Sequence, residues 1–267
     1  MVRCHFIVLA LLACASVGLA EEKTSSDAEP AKPTPKVSPT PPSAIVTSIE
    51  PSALKDFDDN PPAVRRLLEK GLALTRQNLT YLFGSSDPSA GGMDCSGTIF
   101  HLLRSVGIDD VPRTASEQYV WARKADNFEP VVSRSKESFE LDDLRPGDLL
   151  FWTGTYATKN DPPVTHTMIY LGELESDGRQ VMFGASDGRS FDGRKMWGVS
   201  VFDFTIPKLK PKPGDGPSPS PGSVFIGYAR IPGLSRAAPG ESEREPAKER
   251  SKDDETRPAS ARKSPDL

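Results

Sequence analysis

The chain has 267 residues and a net charge of −4, with acidic and basic residues intermixed along it. That balance supplies no basic footprint for nucleic acid, which argues against nucleic-acid binding. The 26 prolines are unevenly spread, and they separate apolar sequence able to build a core from sequence that cannot.

The N-terminus reads as an export signal over residues 1–20. Arg3 gives the positive start, Phe6–Val17 the apolar stretch, and Gly18-Leu19-Ala20 a small-residue cleavage site. The stretch is short for a membrane span, which takes about 20 apolar residues. Leu11-Leu12-Ala13-Cys14 offers a second route, lipoprotein processing, which would leave Cys14 lipidated. Both routes place the mature protein outside the cytoplasm, in the periplasm or cell envelope. Membrane attachment is expected only through a lipid on Cys14. Residues 21–54 are a Pro/Ser-rich linker, expected to be disordered. Residues 55–232 suffice for one domain with its own core, interrupted by a Pro/Gly-rich insertion loop at 207–222. Residues 233–267 are a charged tail without aromatics, again expected to be disordered.

Within the domain, Asn60 before Pro61-Pro62 is a candidate N-cap. Val64, Leu67, Leu68 and Leu72 then recur at helical spacing, which predicts a helix over 62–76. A second helix is predicted to start at Asp94 or Cys95. Ile99, Leu102, Leu103 and Val106 form its apolar stripe and Gly107 its end. A short third helix covers Ser116–Lys124. The period then changes to that of strands: Asp148–Thr153, Thr167–Gly172, Val181–Ala185, Val199–Phe204 and Val224–Ile231. Glu175-Ser176-Asp177-Gly178 reads as a hairpin turn. Helices followed by strands predict an α+β domain, with helices packed on a mainly antiparallel sheet of about five strands.

The chemistry centres on Gly92-Met93-Asp94-Cys95-Ser96-Gly97. Cys4 and Cys14 lie in the export segment, so Cys95 is the one cysteine expected in the mature chain. A lone cysteine in an exported protein is either a reactive thiol or a small buried hydrophobe. Its place in the first helical turn favours the thiolate through free N–H groups and the macrodipole. A cysteine nucleophile needs a base, usually histidine. His5 lies in the signal, and His101 is six residues along the same helix, pointing to another face. His166 remains, at the start of the strand Thr167–Gly172. One cysteine and two histidines cannot supply a closed zinc site, and no metal or cofactor is implied.

Five segments stand in order: Tyr81-Leu82-Phe83-Gly84, Met93–Gly97, Val111-Pro112-Arg113-Thr114 with Gln118, Leu144–Trp152, and Thr165–Gly172. Together they resemble the NlpC/P60 cell-wall peptidases, a papain-like family. The resemblance covers roughly 62–232. It implies Cys95 as nucleophile and His166 as general base. It also implies Tyr81 lining the site, and Asp94 and Ser96 contacting the peptide stem of peptidoglycan; Asp94 is equally a fitting helix N-cap. The implied activity is hydrolysis of a stem peptide, between D-glutamate and the diamino acid, by a protein expected to be monomeric. Two alternatives stand beside it: a non-catalytic module that binds wall peptides, and an amidase or acyltransferase on the same scaffold. One departure is visible. The family places a polar residue that orients the base on the next strand, and the corresponding position here is Gly184, with Ser186 or Asp187 as possible substitutes.

Overall fold

The computed structural model describes residues 43–206 and 223–235, all within the compact unit Thr40–Leu267. The export segment with Cys4, His5 and Cys14, the linker up to 42, the 207–222 insertion and the tail from 236 lie outside the described residues.

Among the described residues, three α-helices precede most of the sheet: α1 (Pro62–Thr75), α2 (Cys95–Ser105) and α3 (Ala115–Lys124). In α1 the stripe Val64, Leu67, Leu68 and Leu72 is buried, as its spacing predicts. The cap differs from expectation. Pro61 occupies the N-cap position, and the Asn60 side chain instead donates to the carbonyls of Asp56 and Phe57 in the preceding turn. In α3 a reciprocal capping box joins Thr114 and Glu117.

The described residues form ten strands: β1 (Thr80–Tyr81), β2 (Gly92–Met93), β3 (Phe128–Pro130), β4 (Leu149–Thr153), β5 (Val164–Glu173), β6 (Gln180–Ser186), β7 (Ser190–Phe191), β8 (Arg194–Lys195), β9 (Gly198–Asp203) and β10 (Val224–Ala229). Six of them form one antiparallel sheet in the order β3-β10-β4-β5-β6-β9. The five expected strands are all present. The sixth, β3, is a three-residue edge strand, too short to carry a period of its own. β1 and β2 pair in parallel, and β7 with β8 makes a small hairpin between β6 and β9.

The turn that delivers the central strand is built from Pro146-Gly147-Asp148. Gly147 takes a left-handed φ of 86° and its N–H donates to the Tyr170 carbonyl at 2.8 Å. β4 therefore leaves the turn already in register with β5. The α1 helix packs on β6 and β9, α2 on β5 and β6, and α3 on β3 and β5. Leu67, Leu72, Ile99, Phe151, Phe183 and Val201 belong to the resulting single core. No helix among the described residues is long and apolar enough to cross a membrane.

Residues 45–54, expected to belong to the linker, lie against the domain. Ile45 and Trp197 exchange backbone hydrogen bonds at 2.9 and 2.7 Å, and Leu54 bridges Leu174. The buried Ser200 hydroxyl accepts from Thr47 N–H at 2.8 Å and bonds the Thr47 carbonyl at 3.2 Å. This strap covers β9, an edge strand whose free N–H and C=O groups would otherwise face outward. Ser200→Ala should remove the two side-chain bonds to Thr47 and lower unfolding free energy by about 1–2 kcal/mol. Urea denaturation measures the loss, and limited proteolysis should cut earlier within 43–54.

Candidate active site

The site begins with the start of α2. Asp94 is its N-cap, and its Oδ1 accepts from Gly97 N–H at 2.6 Å. The other oxygen accepts from Gly84 N–H at 2.8 Å. Arg113 grips both, with Nη1 to Oδ1 at 3.1 Å and Nη2 to Oδ2 at 2.9 Å. The Ser96 hydroxyl donates to Oδ1 at 3.3 Å and accepts from Arg113 Nη1 at 3.1 Å. One carboxylate thus ties together the 84 turn, the helix start and the 111–114 segment. Gly97 is required by packing: a Cβ there would stand 2.1 Å from the Ser85 carbonyl oxygen.

Cys95 is consequently held in the first turn of α2, free of any disulfide and buried. Its sulfur lies against the backbone edge of β5, 4.0 Å from the Thr165 carbonyl oxygen. The β5–β6 ladder extends only to Ile169 opposite Phe183, so the thiol reaches strand edge beyond that point. Backbone N–H groups of Thr167, Ser96 and Cys95 itself favour the thiolate, but burial and the neighbouring Asp94 charge outweigh them. The thiol pKa is pushed up to about 11. The helix start alone therefore does not produce the low thiol pKa that sequence position suggests.

His166 was expected to open its strand. It is instead the third residue of β5, because β-branched Val164 and Thr165 extend the pairing past a bulge opposite Trp152 and Thr153. It pairs across from Trp152, whose ring meets the imidazole edge-on at 5.6 Å. The imidazole is buried, and burial followed by the Arg189 charge holds its pKa well below the usual 6.5. Cys95 and His166 are brought to the same stretch of β5. Among the described residues no hydrogen bond joins the thiol to the ring.

Gly184 does not face His166. A Cβ on it would meet Met168 Cγ at 2.9 Å, so it accommodates its neighbour on β5. The group on the far side of His166 is Arg189, whose Nε lies 3.3 Å from His166 Nε2. Its guanidinium also stacks over Trp152, with Cζ 4.2 Å from the ring centroid. Arg189 precedes β7, and its carbonyl accepts from Met196 N–H at 2.8 Å, which fixes it at the base of the small hairpin. Sequence reasoning missed it. The family's pattern points to Gly184 on β6, with Ser186 or Asp187 as substitutes, whereas Arg189 reaches back from further along the turn after that strand.

A cleft of about 430 Å³ opens beside the thiol. Tyr81, Asp94, Cys95, Ser96, Arg113 and Tyr156 line it. Burial, and then the Cys95 and Asp94 charges, raise the pKa of both the Tyr81 and Tyr156 hydroxyls, that of Tyr81 strongly. Phe83 and Tyr156 meet edge-on at 6.0 Å across the rim. A larger groove of about 500 Å³, lined by Asp59, Asn60, Arg145 and Glu173 among others, includes neither Cys95 nor His166. Among the described residues no group of three His, Cys, Asp or Glu could hold a metal ion.

An α+β domain with a buried thiol at a helix start, set against a strand that carries histidine, defines a class of thiol site. The NlpC/P60 family model matches residues 78–196, from just before β1 to just after the β7–β8 hairpin. That match supports a function of the cell-wall peptidase type. A solved structure from Staphylococcus aureus subsp. aureus Mu50, described as similar to lipoprotein, NLP/P60 family, aligns at 22% identity and a TM-score of 0.39. The alignment covers 70% of this chain and 43% of that one, less than half of its length. No curated protein matches.

Two measurements probe this geometry. Arg113→Gln removes both bonds to a buried carboxylate. Since the Arg113 side chain is 30% exposed and that of Asp94 only 9%, water screens the pair in part. A loss of about 1–3 kcal/mol in urea unfolding is expected. The second concerns acid. His166 has a folded-state pKa below its unfolded value, so below pH 6.5 the unfolded chain binds more protons. Its contribution is complete above that pH and is lost as the pH falls. Between about pH 7.5 and pH 5, wild type should therefore lose more stability than His166→Asn. Equal losses in urea midpoints would contradict a buried neutral imidazole.

Proposed function

We propose that the protein is an exported cysteine peptidase of the cell envelope that hydrolyses amide bonds in peptidoglycan stem peptides, between D-glutamate and the diamino acid. The observation that carries this reading is the position of Cys95. A lone thiol occupies the first turn of a helix, opens on a cleft, and rests on the strand that bears His166. The family match over 78–196 supports the substrate class.

In the proposed reaction His166 takes the proton of Cys95, and the sulfur attacks the scissile carbonyl carbon. The carbonyl π electrons move to oxygen, where backbone N–H groups at the start of α2 stabilise the charge. Collapse of the tetrahedral intermediate breaks the C–N bond, and the imidazolium gives its proton to the leaving amine. Water, deprotonated by His166, then releases the acyl group and restores the thiol. Tyr81 and Ser96 line the cleft together with the thiol. Asp94 already accepts from four nitrogen donors and one hydroxyl, so its role is to hold the helix start. Contact with the stem peptide falls to Tyr81 and Ser96.

A specific observation favours a second reading, a module that binds wall peptides without cutting them. The thiol is pushed up to about 11 and His166 is engaged by a cation. Cys95→Ala separates the two. Peptidase activity requires release of stem fragments from purified sacculi to fall by more than about 10³-fold in the variant, with sacculus binding retained. No release from either protein leaves binding as the function, and equal release from both removes Cys95 as the nucleophile.

A further inference from the structure

Guanidinium nitrogens donate hydrogen bonds and never accept them. In the contact between Arg189 Nε and His166 Nε2 at 3.3 Å, the imidazole nitrogen must therefore be the acceptor. Its lone pair is occupied, and the ring proton of the neutral imidazole resides on Nδ1. Neither ring nitrogen can then take a proton: Nε2 is engaged and Nδ1 already carries one. A carboxylate, amide oxygen or imidazole in the place of Arg189 would do the opposite, holding a proton on the far nitrogen and leaving the near one basic.

We propose that Arg189 is a positioning residue that latches His166 in a non-basic tautomer, so that Cys95 gains its base only when the guanidinium leaves Nε2. Three further observations support the latch. The Arg189 head is stacked on Trp152, and its backbone is tied to Met196, so it is placed rather than loose. Among the described residues it forms no ion pair, which leaves its charge free to be drawn off by an arriving anion. Its desolvation, which pulls its own pKa down to about 10, means the contact with His166 does not fully replace water.

The titratable and charged groups around the pair come from every side. Arg189 after β6 faces His166, and Cys95 at the start of α2 faces Arg189; Asp94 beside Cys95, Tyr81 on β1 with Asp187 near it, and Tyr156 after β4 in turn surround Cys95. The tyrosines stay protonated across the neutral range. Arg189 is thus the cation set directly on the imidazole, and it opposes a second positive charge there.

The proposal rests on the Cys95–His166 reading of the site, and its test does not use the peptidoglycan substrate. Alkylation of Cys95 by iodoacetamide is followed by mass analysis of its peptide, for wild type, Arg189→Met, Arg189→Gln and Arg189→Lys, from about pH 5 to pH 9. Wild type and Arg189→Lys should react slowly at neutral pH, with one alkaline rise. Arg189→Met keeps the stem over Trp152 without a donor, and Arg189→Gln offers an acceptor. Both should gain a reactive limb in the neutral range and react at least about tenfold faster at pH 7. A neutral limb already present in wild type, or unchanged or slower reaction in both variants, overturns the latch. Nitrogen NMR of the wild-type His166 ring needs no variant: a protonated Nδ1 with an accepting Nε2 is expected, and the reverse tautomer overturns the proposal. Fragment release from sacculi keeps the two readings apart. Faster alkylation with no release from any protein removes the peptidase reading and leaves the latch. Release with unchanged alkylation does the reverse.

Discussion

The carboxylate of Asp94 is the constraint on which the site depends. It caps α2, accepts from the turn at Gly84 and receives both arms of Arg113, so three separated segments converge on two oxygen atoms. A bidentate guanidinium–carboxylate pair fixes angles as well as distance. Because the cap sets where the helix begins, it also sets where Cys95 points. The same charge has an opposing effect one residue away. It raises the thiol pKa, so the group that places the nucleophile also works against its ionisation.

The sheet supplies the other half of the site. β5 is paired to β4 along most of its length, but its ladder with β6 ends at Ile169, and the thiol meets the strand edge beyond. His166 sits in that stretch between Trp152 and Arg189, dry and cation-facing. Taken together, these surroundings favour a neutral thiol and a neutral imidazole at rest. An ion pair between them would need a change in the ring's far partner. Reactivity is thereby controlled from the hairpin after β6, and not from the helix that carries the nucleophile.

Much of this was legible in the residue order because it depends on local periodicity. The stripes of α1 and α2 and the five β-branched runs each encode an element through its own spacing. Cys95 at a helix start follows from Asp94 and Gly97 being a fitting cap and a small first-turn residue. β3 was not legible, since three residues at a sheet edge have no period to read. The strap at 45–54 was missed for a related reason. Proline-rich sequence on its N-terminal side masks a segment whose order comes from pairing with β9, more than a hundred residues away.

The environment of His166 shows the boundary most clearly. By itself the sequence determined that one thiol would stand at a helix start, that one strand histidine could serve it, and that the domain would be α+β. Only the tertiary structure decided which group faces the imidazole. Register along β5 and β6 turns Gly184 toward Met168, and the hairpin return brings Arg189 onto Nε2. Such a contact has no signature in spacing. It depends on where a strand stops pairing and which way the next turn folds back, and those are settled by packing of the whole sheet.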